Sequence, residues 1–355
     1  MKTKNQSKAL HRKPRQRGAA LIILMLAIVL SLVTLVTFRS ERKGPEQEAQ
    51  RKTALALAQA KEALLGYAAQ RPLRPGSFPC ADINDDGLNM SPADASCSAN
   101  VVARLPWKQL GLPDIRDGNG ERLWYAVSRD FRASLTTPLN STNDGQITIR
   151  NAAGTIINNP DATPSTGVIA VIIAPGGVLT RQDTALTQNR SCTGGGGCNP
   201  ELVCQTPYQS VAKCNPVNYL DVKVGTEDNA NYVSYLPPPP AFQANGFING
   251  PIKDATGATI VNDRILTITR NELNSVVTFR MARALSLTAY DGTMGSTVES
   301  IYLKPEVWTD NQWDDAVDTD ASVIVSSVIT LKFLNCAIIY TITGRGIVAR
   351  SATSC

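Results

Sequence analysis

Histidine is almost missing from this chain: His11 is the one imidazole in 355 residues. Everything after it therefore lacks the parts for a Ser-His-Asp or Cys-His nucleophile and for any His-ligated zinc site. A Gly-x-x-x-x-Gly-Lys-Ser/Thr phosphate loop and a Gly-x-Ser-x-Gly elbow are also absent, so no enzyme signature rises above background. Carboxylate chemistry survives these exclusions. Charge, too, is missing from one long stretch, since Ala19 to Phe38 is a run of twenty residues without a charged side chain.

At ~1.5 Å rise per residue, a helix of that length spans a hydrocarbon core of about 30 Å. Ahead of it stand Lys2, Lys4, Lys8, Arg12, Lys13, Arg15 and Arg17 with no acidic residue. The positive-inside rule then places the amino terminus in the cytoplasm and the remainder across the inner membrane, in the periplasm. These seven cations exceed the whole formal charge of +5, so the basic balance belongs to the leader and argues nothing about nucleic acid. A secretory signal would have an apolar region of about 7 to 15 residues ending in a small-x-small site. Here the run ends in Thr37-Phe38-Arg39-Ser40-Glu41-Arg42, and the attractive place for cutting lies in front, after Gly18.

That junction, Arg15-Gln16-Arg17-Gly18-Ala19-Ala20-Leu21, resembles the type IV pilin and type II secretion pseudopilin family. The resemblance implies that a prepilin peptidase removes residues 1–18 and that Ala19 becomes the N-methylated first residue. Ala19 replaces the family's usual phenylalanine. Ile23 stands where the family usually has glutamate, a carboxylate thought to neutralise the terminal ammonium of the neighbouring subunit, since unpaired charge in lipid is costly. A subunit without it resembles the minor components at a filament tip.

Gly44-Pro45 should interrupt the helix as it leaves the membrane. Ala54, Leu55, Leu57, Ala58, Leu64, Leu65 and Ala68 then predict an apolar face on a helix from near Glu46 to before Arg71-Pro72. The order Ala60 to Ala68, Phe78-Pro79-Cys80 and Leu105-Pro106-Trp107 to Leu112 resembles large pilin-like proteins. Asp117-Gly118-Asn119-Gly120 offers turn chemistry, Arg122 to Ser128 is rich in strand formers, and Trp107, Trp124 and Tyr125 read as core.

Asp82-Ile83-Asn84-Asp85-Asp86-Gly87 fits the opening of a calcium loop, with Asp82, Asn84 and Asp86 as alternating ligands. The twelfth position holds Ala93, with Asp94 beside it, where a bidentate acid is needed; the competing reading is a solvated Asx turn. Asp310, Asp314, Asp315, Asp318 and Asp320 read as a solvated acidic loop. Gln146 to Arg150 and Gly154 to Ile157 suggest a hairpin, and Val168 to Ala174 a buried central strand. Leu179 to Asn245, with Gly194 to Gly197 and the stiff Pro237 to Pro240, reads as a surface insertion. Asn262 to Thr269 is a strand entering a helix from Arg270 toward Ala289, with Thr269 and Glu272 in a capping box. Ser300 to Val307, Ser322 to Lys332 and Ala337 to Ala349 read as β segments.

The cysteines are Cys80, Cys97, Cys192, Cys198, Cys204, Cys214, Cys336 and Cys355, an even set that favours disulfides in an exported chain. Proximity suggests Cys80 with Cys97, Cys336 with Cys355 and two bridges within the insertion. The Cys336–Cys355 pairing also resembles the carboxy-terminal loop of many pilins. A four-thiolate zinc site at Cys192, Cys198, Cys204 and Cys214 is the alternative, without the usual Cys-x-x-Cys pairs.

The expected fold is α+β: a long N-terminal helix, transmembrane then amphipathic, packed on a mostly antiparallel β-sheet head with a disulfide-rich insertion. The expected divisions are 1–18 leader, 19–70 helix (membrane span 19–38), 71–180 head, 181–261 insertion and 262–355 the rest of the head. The expected function is a non-enzymatic minor pilin or pseudopilin with no cofactor, calcium apart. Its partners would be the prepilin peptidase, other pilins, the inner-membrane assembly platform and membrane lipid, and it could reach the cell exterior in a pilus. Alternatives are an uncut, membrane-anchored adhesin or binding module and a carboxylate-based periplasmic hydrolase.

Overall fold

The computed structural model describes residues 24–31, 44–89, 102–133, 137–191, 214–222, 228–230, 246–289, 305–325, 328–353 and 355. The chain divides into two units, Met1–Gln50 and Arg51–Cys355. In the first, residues 24–31 are helical, and Leu24, Met25, Leu26, Ile28, Val29 and Leu30 are all exposed.

Helix α1 is Pro45–Gln70. Proline at its first position loses no helical hydrogen bond, and Glu46 and Glu48 in the first turn complement the helix dipole. Its far end is satisfied from outside. Gly76 donates its N–H to the Ala68 carbonyl at 2.9 Å, and the Arg280 guanidinium donates to the carbonyls of Ala69 and Arg71. Thr53, Ala56, Leu57, Ala60, Leu64, Leu65 and Ala68 are buried.

The central sheet runs β1 (Ala103–Arg104), β2 (Trp124–Val127), β5 (Val168–Ala174), β9 (Arg264–Thr269), antiparallel throughout. Every residue of β5 is buried, because both faces of the sheet are covered. One face carries Tyr125, Val127, Ala170, Ile172 and Ile268 into a core shared with α1 and with helix α2, Arg270–Ala289. The other carries Trp124, Ala126, Val171 and Ile173 under Ile147, Ile149, Tyr219, Leu220 and Phe247. Lys61 of α1 donates to the Thr267 carbonyl at 2.8 Å and pairs with Glu272, tying α1 to the passage from β9 into α2. The capping box is present there: Thr269 N–H donates to Glu272 Oε2 at 2.9 Å, and Glu272 N–H donates to Thr269 Oγ1 at 3.4 Å.

A small mixed sheet joins β4 (Ile156–Asn158) to β3 (Ile149–Arg150) as a hairpin and β3 to β6 (Phe247–Ile248) in parallel. A two-stranded ribbon follows, β7 (Ile252–Lys253) with β8 (Thr259–Val261). After the short helix α3, Glu306–Asp310, the strands β10 (Val323–Val325), β11 (Val328–Lys332), β12 (Ile339–Gly344) and β13 (Ile347–Arg350) form an antiparallel meander.

These observations overturn the expected architecture. Among the described residues the body is mostly β, in four sheets, and not one antiparallel head sheet under a long spine. Among the described residues no helix is long and apolar enough to cross a membrane. Tyr219, Leu220 and Phe247, from the stretch expected as a surface insertion, are core. The physical reason is that alternation identifies a strand but carries nothing about its partner, so separate sheets merge when read from sequence. The face of α1 is also turned: Leu55 is exposed along with Ala54 and Ala58, while Thr53, Ala56 and Ala60 face inward. Alanine is too weakly apolar to mark a face, yet its small side chain lets a helix approach a sheet closely. Residues 305–307 are not strand either. Trp308 N–H donates to the Pro305 carbonyl at 2.8 Å and opens α3.

Candidate functional site

The prepilin-like junction, Gly18, Ala19 and Ile23, lies outside the described residues. What can be described of the run behind it is the helical 24–31, whose apolar side chains are presented outward.

The loop Asp82–Gly87 is folded by its own carboxylates. Asp82 exchanges both backbone hydrogen bonds with Arg104 at 2.9 Å, which turns its side chain inward, and Oδ2 accepts from Gly87 N at 2.6 Å. Asp86 Oδ1 accepts from Leu88 N at 2.7 Å, and Asn84 Nδ2 donates to Asp86 Oδ2 at 2.9 Å. The Asn84 amide thus turns its nitrogen toward Asp86. Gly87 has φ +87, and a Cβ there would meet the Trp107 ring at 2.6 Å, so glycine is required. Among the described residues no group of three or more His, Cys, Asp or Glu is placed to hold a metal ion. Ala93 and Asp94 lie outside them.

Arginines neutralise this loop. Arg122 Nη1 lies 2.9 Å from Asp85 Oδ1, its Nε donates to Asp114 Oδ1 at 2.8 Å, and Arg116 shares Asp114. Burial opposes the Arg122 charge, but Asp114 and Asp85 outweigh it and raise its pKa above the ordinary value. Burial pushes Asp82 up to about 7, against the Gly87 N–H, with Asp85 and Asp86 adding to the rise. Arg104 packs over two rings that touch each other, 4.0 Å from the Trp124 centroid and 4.1 Å from that of Tyr219, the centroids being 5.4 Å apart.

A second buried pair of acids, Asp221 and Asp263, locks 214–222 to the start of β9. Asp221 N–H donates to Asp263 Oδ2 at 2.8 Å, Asn229 Nδ2 donates to the same oxygen at 2.9 Å, and Asn262 N–H donates to Asp221 Oδ2 at 2.7 Å. Burial raises Asp221 to about 6 and raises Asp263 well above the carboxylate range, the neighbouring Asp221 adding to the latter. Both side chains are buried; the Asp221 oxygens and Asp263 Oδ2 accept from backbone and amide N–H groups, while Asp263 Oδ1 has no hydrogen-bond partner.

Cys336 and Cys355 are joined by a disulfide, and Cys80 and Cys214 are also disulfide-bonded. Cys214 therefore cannot serve as a zinc thiolate. Cys97, Cys192, Cys198 and Cys204 lie outside the described residues. In the acidic stretch, Asp314 accepts from Trp308 Nε1 and Asp318 pairs with Lys332 at 2.8 Å, while Asp310, Asp315 and Asp320 are exposed.

Sequence reading missed the buried arginines. Arg74 donates to the carbonyls of Thr137, Arg132 and Asp130 at 2.6–2.8 Å, and burial lowers its pKa to about 10 against the pull of Asp130. Arg190 lies over Tyr219 and donates to the Gly176 carbonyl at 2.7 Å. No local pattern distinguishes these from surface arginines. No family model, curated protein or solved structure matches the chain.

Proposed function

We propose that this chain is a structural subunit anchored in the inner membrane, a minor pilin or pseudopilin that a prepilin peptidase cuts after Gly18. The observation that carries the reading is the uncharged run from Ala19 to Phe38 behind seven cations, in which residues 24–31 are helical and outward-facing. Exposed side chains of this kind suit lipid before assembly and neighbouring helices after it. Ile23, in place of the usual glutamate, suits a position at the filament tip. The body would be carried in the periplasm, where disulfides such as Cys336–Cys355 persist. Its partners would be the other pilins and the assembly platform.

The test is intact mass and amino-terminal peptide mapping of the protein recovered from membranes, with and without a co-expressed prepilin peptidase. A chain beginning at N-methylated Ala19 only with the peptidase supports filament assembly. A chain that always keeps residues 1–18 removes that reading and leaves an anchored binding module.

A further inference from the structure

A small cavity of about 10 Å³ lies where the Asp82–Gly87 loop meets β1 and β2, lined by Asp82, Asp85, Arg104 and Trp124 together with Ile83, Ala103 and Cys214. Three of these residues carry a buried polar atom without a hydrogen bond: Asp82 Oδ1, Asp85 Oδ1 and Trp124 Nε1. The residues are 0 %, 4 % and 1 % exposed, so bulk water does not reach them. Arg122 Nη1 donates to the Asp85 carbonyl at 2.9 Å and lies equally near Asp85 Oδ1, so a further partner would share that oxygen with the guanidinium. Unpaired buried groups are rare in folded proteins, and three carried by the residues that line one cavity call for a common partner.

We propose that a single water molecule occupies this cavity, donating to Asp82 Oδ1 and Asp85 Oδ1 and accepting from the Trp124 indole N–H. Two acceptors and one donor match what one water offers, and about three hydrogen bonds is usual for a buried water. Size agrees, because a cavity needs roughly 10–15 Å³ by this measure to take one water, which leaves no room for an organic ligand. A calcium ion is disfavoured on three counts. It needs about 6–8 oxygens, the indole presents hydrogen and not a lone pair, and Arg104 shares the wall, its Nε 3.8 Å from Asp85 Oδ1. The carboxylates equally repel an anion. The site therefore converts the sequence's calcium-like stretch into a hydration site. This water would join the loop to β2 beneath the disulfide-bonded Cys214.

The test is a crystal structure of the full chain in detergent, determined once with a calcium chelator and once with millimolar calcium, together with the thermal midpoint under both conditions. The expected result is one peak in both crystals, at hydrogen-bond distance of about 2.7–3.2 Å from all three atoms, and a midpoint that does not move. A cavity without density in either crystal would overturn the proposal. So would a peak that appears only with calcium, at about 2.3–2.6 Å from six or more oxygens, or a saturable rise of the midpoint with calcium.

Discussion

The central sheet and the C-terminal sheet are built from the same kinds of residue and end in opposite situations. In the central sheet the strand β5, Val-Ile-Ala-Val-Ile-Ile-Ala, is buried at all seven positions, because helices cover one face and the segments around Tyr219 and Phe247 cover the other. In the C-terminal sheet, Ile329, Leu331, Tyr340 and Ile342 point into the core while Val323, Val325, Val328, Ile339 and Ile347 are exposed. A sheet covered twice reads as a continuous apolar run, and a sheet covered once reads as alternation. Burial of one such side chain contributes about 1.5–3 kcal/mol, so the one-sided sheet must draw on other support. It has the packed rings of Trp308, Trp313, Phe333 and Tyr340, and the disulfide that returns Cys355 to Cys336.

The largest effect should come from the sheet with two covers. Ile172→Ala is expected to cost about 2–5 kcal/mol in denaturant unfolding, since the cavity cannot collapse from either side; a loss below ~1 kcal/mol would mean that β5 is not enclosed. Replacing Cys336 and Cys355 together with serine should remove about 3 kcal/mol, the value for a loop of this size in the chain-entropy model. Hydrogen exchange should then rise in β10–β13 and leave β5 protected; equal loss in both sheets would erase the contrast. Thr269→Ala, which removes one arm of the capping box at the edge of the central sheet, is expected to cost about 1 kcal/mol by the same unfolding assay.

The two sheets should also answer pH with opposite signs. Beside the central sheet, burial raises Asp82 to about 7 and Asp221 to about 6. An unfolded aspartate titrates near ~3.9, so the folded chain holds these protons more tightly. Their contribution is complete below about pH 4 and is lost as pH rises through about 6–7. Beside the C-terminal sheet, the Lys332 hydrogen bond lowers Asp318, whose contribution is present above the unfolded pKa and lost as pH falls. Asp82→Asn should flatten the decline of thermal midpoint between about pH 5 and 8, and Asp318→Asn should leave that decline as it was. An unaltered slope in the Asp82 variant would remove the burial argument. The smallest effect belongs to the open face: Val325→Thr should stay within about 0.5 kcal/mol, and a larger loss would reveal that something covers it.

How much of this was legible depended on how local the cause was. Val168 to Ala174 announced a buried strand because seven apolar residues bounded by Pro175-Gly176-Gly177 leave few other outcomes. The Thr269–Glu272 capping box was legible because donor and acceptor lie three residues apart. The hairpin of β3 and β4 was legible for the same reason. The face of α1 was misread at Ala54, Leu55 and Ala58, since alanine gives a weak signal in either direction. The calcium-like spacing was visible, but not that Asp82 turns inward onto Gly87 or that arginines stand against the loop.

By itself, the sequence determined the properties that act over a few residues or need no partner: the exclusion of histidine chemistry beyond His11, the uncharged run from Ala19 to Phe38, the buried character of β5 and the start of α2. Only the tertiary structure decided that β6 pairs in parallel with β3, that Arg104 packs over both Trp124 and Tyr219, and that Asp221 and Asp263 share one buried knot. These contacts join residues far apart in the chain. Their free energy depends on burial and on which groups arrive together, and no periodicity along the sequence encodes either.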